Sequence, residues 1–453
     1  MGRITLEQAA QWCGGKIDPK YAENTFFGAN NDSRKLEEGE LFVALAGARD
    51  GHEFIPMAIE RKAGAVLCTH CDQDYPAILV DDPRRALGDI ARGARKNMRA
   101  KVVGVTGSVG KSTTKEMIAA VLGTTYRTAK SPANHNNDLG LPMSILAMPD
   151  DTEVAVLEMG MNHFREMAYL TSIAQPDVAV LLNIGTMHIE HLGSMEGILQ
   201  AKLEILEGMK DNGVVVMNGD DPLLWNSQKK IPLPAIYFGE ANSECDIRAE
   251  DVTEKNGVLT FRVAGEDQNF NVELSLEGRH FVLDAMAAVA VGVRMGVPAA
   301  KIQESLCQFR NMAGRQEIFE ANGYTIIKDC YNAGPESMNA ALNVLGAKQG
   351  RKVAVLGDML ELGFCTQAEH YRVGRIAAEK TDLILAYGPN SDRVISGAIT
   401  GGKPSSMARA FSTQEELVST LKRLAKPGDI ILFKGSRGMH MELALEQFLQ
   451  DER

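Results

Sequence analysis

The stretch Lys101-Val-Val-Gly-Val-Thr-Gly-Ser-Val-Gly-Lys-Ser-Thr113 decides the fold class. Lys101 to Val105 is a short apolar run of the kind buried in parallel sheets, and Lys111 to Leu122 has helical composition. A glycine-rich turn joins them, which is the context a phosphate-binding loop requires. In such a loop the backbone N–H groups of Gly107, Ser108, Val109 and Gly110 surround phosphate oxygens, helped by the dipole of the helix that follows. Lys111 adds a point charge, Ser112 a hydroxyl for Mg²⁺, and Thr113 closes the motif. The usual spacing, GxxxxGK[ST], would put the first glycine at 105. This chain has Val105 there and Gly104 one place earlier, so the loop is a variant.

Strand and helix alternate outward from this loop. Residues 1–98 mix short apolar strands (Leu41 to Leu45, Gly64 to Leu67, Ala77 to Val80) with short helices, and Pro83 to Met98 reads as a closing helix. Residues 99–313 continue with strands at Glu153 to Leu157, Val178 to Leu182, Val214 to Met217 and Ala235 to Phe238. Residues 314–453 repeat the alternation with strands at Thr325 to Ile327, Val353 to Leu356, Leu383 to Tyr387 and Ile430 to Phe433. The expectation is an α/β protein of three domains, with a central parallel sheet carrying the phosphate loop and a doubly wound carboxy-terminal unit.

Composition narrows the function classes. The 453 residues, 45% hydrophobic and 24% charged, suit a globular chain of about three domains. A net charge of −11 disfavours gripping nucleic acid by bulk charge. No apolar run approaches the ~20 residues that span a bilayer. The start, Met1 to Trp12, holds Glu7 and no apolar core, so no secretory signal is expected. Seven cysteines, an odd and scattered set, read as reduced thiols in a cytoplasm. Cys68-Thr-His-Cys71 has CxxC spacing, but no second pair completes a zinc site, so a structural role is expected.

Three further positions point to chemistry. Glu158 closes the strand of Glu153 to Leu157, where a carboxylate can hold the Mg²⁺ that bridges nucleotide phosphates. Asn183-Ile-Gly-Thr-Met-His188-Ile-Glu-His191 follows another strand, on the side of a parallel sheet that lines a ligand crevice. His188 is there either a ligand or a loop hydrogen-bonding group. Lys202 falls mid-stripe among Met195, Ile198, Leu199, Ile205, Leu206 and Met209, with Glu204 on the opposite side. A lysine there must snorkel, pair or be altered, and a desolvated amine can react with an electrophile such as CO₂.

These residues, in this order, resemble the Mur ligase family, whose members join amino acids to the peptidoglycan precursor using ATP. The likeness covers nearly the whole chain. Asp32-Ser-Arg34, Leu41 to Leu45, Gly47 and Asp50-Gly-His52 resemble the family's UDP-sugar domain. Thr106 to Ser112 is how the family spells its ATP loop, and Asn134 to Pro142, Glu158-Met-Gly-Met161 and His188 resemble its central motifs. In the carboxy-terminal section, Gly314-Arg315, Asp329-Cys-Tyr-Asn-Ala333, Leu356 to Gly363, Lys434-Gly-Ser-Arg437 and Glu442 are similar to the members that add D-alanyl-D-alanine. Phe281 and Asp284 stand in place of two asparagines usual after Gly278-Arg-His280, and Gly334 stands where asparagine is common.

The resemblance implies roles for these positions. Gly107 to Thr113, Asn134, Arg315 and Asp329 would bind ATP. Ser33, Arg34, Asp50, Gly51, His52, Asn137, Asn332, Asp358, Lys434, Ser436 and Arg437 would bind the substrates UDP-N-acetylmuramoyl-tripeptide and D-alanyl-D-alanine. Ser112, Glu158, His188 and Lys202, the last carbamylated, would hold Mg²⁺, and Lys111, Lys202, His188 and Glu158 would be catalytic. The implied chemistry is phosphorylation of a carboxylate by ATP, then attack of the dipeptide amine on the acyl phosphate. It implies a cytoplasmic monomer with no nucleic-acid partner. Another ligase of the family, adding a diamino acid or resembling a folylpolyglutamate synthetase, would share the loop and Lys202. A regulatory ATPase of this loop class would turn over ATP regardless of any muropeptide.

Overall fold

The structure is a computed structural model and describes residues 2–47, 49–265 and 267–450. It divides into two compact units, one of Met1–Leu182, Gln200–Arg248 and Ala285–Ser305, the other of Asn183–Leu199, Ala249–Asp284 and Leu306–Arg453.

The first unit opens with a five-stranded sheet: β1 (Ile4–Thr5), β2 (Thr25–Asn30), β3 (Glu40–Val43), β4 (Ala65–Cys68) and β5 (Ala77–Leu79), paired in that order. Only β1 runs antiparallel to its neighbour. The expected helix spans Pro83–Asn97; Asp82 caps it by accepting from the N–H groups of Arg84 and Arg85, and Pro83 pre-sets its first turn. Arg95, on its last turn, is 2% exposed. It donates to the carbonyls of Ala174 (2.7 Å) and Gln175 (3.1 Å) and reaches Asp177 at 3.3 Å, which ties the helix to the turn leading into the next sheet.

That sheet contains β6 (Lys101–Thr106), β7 (Thr128–Lys130), β8 (Val154–Glu158), β9 (Val178–Leu181), β10 (Val214–Asn218), β11 (Ala235–Gly239) and the first residues of β12 (Ile247–Lys255). All these pairings are parallel, and β6 lies between β8 and β9. Every residue of β8, β9 and β10 is buried, which is why each reads as an apolar run, closed by Glu158 in β8 and Asn218 in β10. Gly104 sits inside β6: a Cβ there would lie 2.8 Å from Met159 Sδ and 3.2 Å from Pro176 Cγ, so packing behind the strand requires this glycine.

The second unit holds the antiparallel pair β13 (Val258–Gly265) and β14 (Gln268–Leu274), and a six-stranded sheet. The latter comprises β15 (Glu317–Ala321), β16 (Tyr324–Asp329), β17 (Lys352–Gly357), β18 (Leu383–Tyr387), β19 (Ala408–Phe411) and β20 (Ile430–Lys434), in the order β15-β16-β20-β17-β18-β19. Only β15 is antiparallel. Alternate residues of each central strand enter two cores. Ile327, Ala354 and Leu432 pack on one side, Ile326, Val355 and Phe433 on the other, so helices cover both faces.

The sequence reading passed over β1, β2, β7, β12 to β15 and β19. In β12 and β13 buried residues alternate with exposed or half-exposed ones, many of them charged, and no apolar run forms. The helix through Lys202 is also shorter than expected: it spans Met195–Leu203 and tightens to a 3₁₀ turn at Glu204–Gly208. Glu204 therefore does not face water. It is buried and accepts from the N–H groups of Arg165 (2.9 Å) and Ala168 (3.2 Å), capping the helix Glu166–Ala174, whose left-handed Arg165 has no side-chain cap. Cys68 is fully buried, and burial pushes its thiol up to about 12, which suits a packing residue.

Candidate active site

The phosphate loop has the shape its sequence requires. β6 ends at Thr106, the helix starts at Lys111, and Gly110 between them takes a left-handed backbone (φ +87°) that glycine adopts without strain. Gly107 has no room for a side chain, since a Cβ would lie 2.8 Å from Leu182 Cβ. Lys111 Nζ donates to the carbonyls of Gly107 (2.6 Å) and Ser108 (3.2 Å), so the amine lies over the loop whose N–H groups would face phosphate.

The register β6–β8 pairs Val105 with Glu158 and brings that carboxylate beside the loop. Glu158 is 2% exposed. Ser112 Oγ donates to its Oε2 at 2.7 Å and Asn136 Nδ2 to its Oε1 at 2.8 Å, while its own N–H donates to Ser131 Oγ. Both donors to the carboxylate are neutral, so its negative charge stays uncompensated by them in a dry setting, a donor set that fits a cation. Asn136 is the residue that sequence reasoning missed, although it lies within the Asn134–Pro142 motif. Asn137 Oδ1 instead accepts from the N–H groups of Leu139 and Gly140, at the start of the helix Gly140–Leu146. Asn134 is exposed on the same loop.

Lys202 is 2% exposed. Burial drives its pKa well below the ordinary lysine value, and the nearby Lys111 ammonium pushes the same way. Its charged form is therefore disfavoured where it lies, in a dry setting near Lys111 of the phosphate loop. Thr113, on the loop's helix, is also buried.

Within the five-stranded sheet's loops, Asp50 accepts from the backbone N–H of His52 and lies 2.6 Å from His52 Nδ1, which holds its carboxyl below the usual range. His52 Nε2 accepts from the Thr69 N–H at 3.0 Å, and the ring stacks on His70. Gly51 is required because a Cβ would lie 2.5 Å from the Leu45 nitrogen. Ser33 is buried with its hydroxyl 3.2 Å from Met57 Sδ, whereas Arg34 is exposed and chelates Asp32, drawing that carboxyl down to about 2.

The second unit gathers most of the other candidates at the carboxyl ends of β16, β17 and β20. Lys434 is 1% exposed and bonds Asp329 Oδ2 (2.6 Å) and the Asn332 carbonyl (3.0 Å), joining three of them. Ser436 accepts from the Leu360 N–H and donates to the Ala333 carbonyl. Asp358 is buried and receives both the backbone N–H and the side-chain amide of Asn390. Arg315 stacks on Tyr331, and the largely exposed Arg437 pairs with Glu442 at 3.1 Å. His188 has a left-handed backbone (φ +65°) with Nδ1 2.6 Å from Glu361 Oε2. Phe281 is buried against the His280 ring, and Asp284 is buried too.

Comparison with known proteins agrees with this geometry. Residues 105–292 match the Mur ligase middle domain, and residues 314–437 the Mur ligase, glutamate ligase domain. The UDP-N-acetylmuramoyl-tripeptide–D-alanyl-D-alanine ligase of Bacillus subtilis is 38% identical over 99% of both chains. Among solved structures, MurF from Acinetobacter baumannii superposes with a TM-score of 0.91 at 31% identity, covering 100% of both chains. MurF ligase from Thermotoga maritima in complex with ADP gives 0.81 at 32% identity, over 93% of this chain and 97% of that one. With its phosphate loop, the buried carboxylate beside it and this end-to-end likeness, the chain belongs to the Mur ligase family.

Proposed function

We propose that this enzyme joins D-alanyl-D-alanine to UDP-N-acetylmuramoyl-tripeptide, consuming ATP and releasing ADP and phosphate. The observation that carries the choice of substrates is the 38% identity, over 99% of both chains, to a ligase named for that reaction. The order of steps follows from carbonyl chemistry. A carboxylate is a poor acyl donor because oxide would have to leave. Transfer of the γ-phosphoryl group to the tripeptide carboxylate makes an acyl phosphate, the dipeptide amine attacks its carbonyl carbon, and phosphate departs with the bonding electrons.

Residues of this chain would serve each need. Gly107 to Thr113 would cradle the phosphates, and Lys111 would swing from its loop carbonyls to the transferring group, countering the repulsion between phosphates and carboxylate. Ser112 and Glu158, with His188 and carbamylated Lys202 as further candidate ligands, would hold Mg²⁺, which supplies positive charge against the nucleotide phosphates when bound. Burial that disfavours charging of the Lys202 amine suits addition of CO₂, which forms an N–C bond, loses a proton and leaves an anion where an ammonium would repel the metal. Asp50, His52, Ser33 and Arg34 would take the UDP-sugar, and the Asp329, Asn332 and Lys434 cluster with Asp358, Ser436 and Arg437 would take the dipeptide side. Residues 1–98, 99–313 and 314–453 would act as acceptor, ATP and amine domains of a cytoplasmic monomer.

The test is phosphate release with the UDP-linked tripeptide and ATP, with and without dipeptide. D-Ala-D-Ala should support turnover and L-Ala-L-Ala should not. Equal rates with both, or turnover with a free diamino acid on a dipeptide precursor, would reassign the substrates.

A further inference from the structure

The loop that leaves β9, Gly185-Thr-Met-His-Ile-Glu190, is gripped at four points by residues far along the chain, all inside the second unit. Glu336, on the first turn of the helix Pro335–Ala347, accepts the Thr186 N–H at 3.0 Å and the Thr186 hydroxyl at 3.2 Å, both on Oε1. Gly185 makes this approach possible, because a Cβ there would lie 2.8 Å from Glu336 Cδ. Met187 fills the space beside Gly334, where a Cβ would lie 2.9 Å from Met187 Cγ. His188 meets Glu361, each with a left-handed backbone (φ +65° and +63°), and Glu190 covers Gly363, whose Cβ would lie 2.9 Å from Glu190 Cβ.

Two bulky loop side chains thus face two glycines, and two strained residues face each other. Strain of this kind persists only where the surroundings over-determine it. The gripping residues belong to the segments that carry Asn332 and Asp358, and the gripped loop carries His188. Gly334 also gains a physical reason. Its backbone (φ −143°, ψ 168°) is open to any residue, so the glycine is required by Met187 and not by the turn.

We infer that Glu336 is a positioning residue for ligation: through Thr186 it fixes the loop bearing His188 against the Asn332 and Asp358 segments, with Gly334 kept small to seat Met187. This rests on the ligase reading above. Glu336 touches no reacting atom in this role; it sets where His188 stands relative to the amine-side segments. A misplacement of about 1 Å in such a constellation costs up to roughly a hundredfold in rate.

The full chain is tested as Glu336→Ala, Glu336→Gln, Gly334→Ala and Gly334→Ala with Met187→Ala. Glu336→Ala should lower kcat by about tenfold to a hundredfold, leave the KM for ATP within about twofold, and speed hydrogen exchange at the Thr186 amide. Glu336→Gln should keep most activity, since an amide oxygen accepts the same N–H. Gly334→Ala should lose activity with its fold intact, and adding Met187→Ala should restore it by removing the clash. Parental kcat in Glu336→Ala, unchanged exchange at Thr186, or no recovery in the double variant would overturn the inference. The exchange measurement needs no substrate, so if the parent chain ligates nothing the substrate assignment has failed while the anchoring of the Thr186 loop by Glu336 is still decided.

Discussion

Removing the Ser112 hydroxyl offers a direct measure of the site's electrostatics before any nucleotide binds. Ser112 and Glu158 are each 2% exposed, and the hydroxyl donates to the carboxylate at 2.7 Å. A hydrogen bond to a buried charged group contributes about 1.5–3 kcal/mol, and water has little access to replace this one. Asn136 still serves the other oxygen, so the charge is not wholly abandoned and the cost should not exceed that range. Ser112→Ala should therefore lower unfolding free energy by about 1.5–3 kcal/mol without nucleotide, a melting shift of roughly 3–12 °C at 2–4 °C per kcal/mol. Urea denaturation would measure it. Adding Glu158→Gln removes the charge that needed the hydroxyl, so the double variant should be more stable than the two single losses predict, by about 1 kcal/mol. A Ser112→Ala change within about 0.5 kcal/mol, with additive behaviour in the double variant, would mean that Glu158 is solvated and that the cation-site argument fails.

Other perturbations follow the same reasoning. Lys111→Ala should cut ligation by about a hundredfold or more while costing under about 1 kcal/mol of stability, because its partners are loop carbonyls that water can serve; a near-parental rate would sink the ATP assignment. Lys202 is ordinarily protonated near 10.5 in an unfolded chain and held below that when folded, so the unfolded state binds the extra proton and the parent gains stability as pH rises toward the ordinary lysine range. In CO₂-free buffer without Mg²⁺, Lys202→Met should be more stable at pH 7, with the advantage shrinking as pH rises toward the ordinary lysine range; a pH-independent difference would contradict the lowered lysine pKa. Arg95→Met keeps the apolar stem but strands the Ala174 and Gln175 carbonyls, and should cost about 3 kcal/mol by calorimetry or urea titration. A loss below about 1 kcal/mol would show that the arginine is not needed to hold the helix.

The parts of the fold that were legible share one property. Strands buried on both faces, such as Val178–Leu181 and Leu383–Tyr387, announce themselves as apolar runs, and Pro83 and Asp82 mark a helix start locally. The strands of Ile247–Leu274 were missed because exposed or half-exposed residues, many of them polar or charged, break up their buried apolar positions. Lys202 was read from its place in an apolar stripe, and the same stripe misplaced Glu204, since the tightening at Glu204–Gly208 is imposed by packing on Thr171. Asn136 could not be separated from Asn134 and Asn137 by type or motif, because only the path of the loop decides which amide reaches Glu158. Glu336 and Thr186 lie 150 residues apart, and no local pattern foretells their contact.

The tightened turn after Lys202 has a kinetic meaning. Two residues beyond the lysine, Glu204 is fastened by the Arg165 and Ala168 amides, and the Ile205 carbonyl by the Thr171 hydroxyl at 2.7 Å. These bonds fasten the backbone beneath Lys202, which is 2% exposed. Ordering a free lysine side chain costs up to about 2 kcal/mol of conformational entropy, and here that ordering happens when the protein folds rather than when nucleotide arrives. On the ligase reading, the Lys202 side chain would meet an incoming ligand already ordered, so binding would not have to supply that ordering.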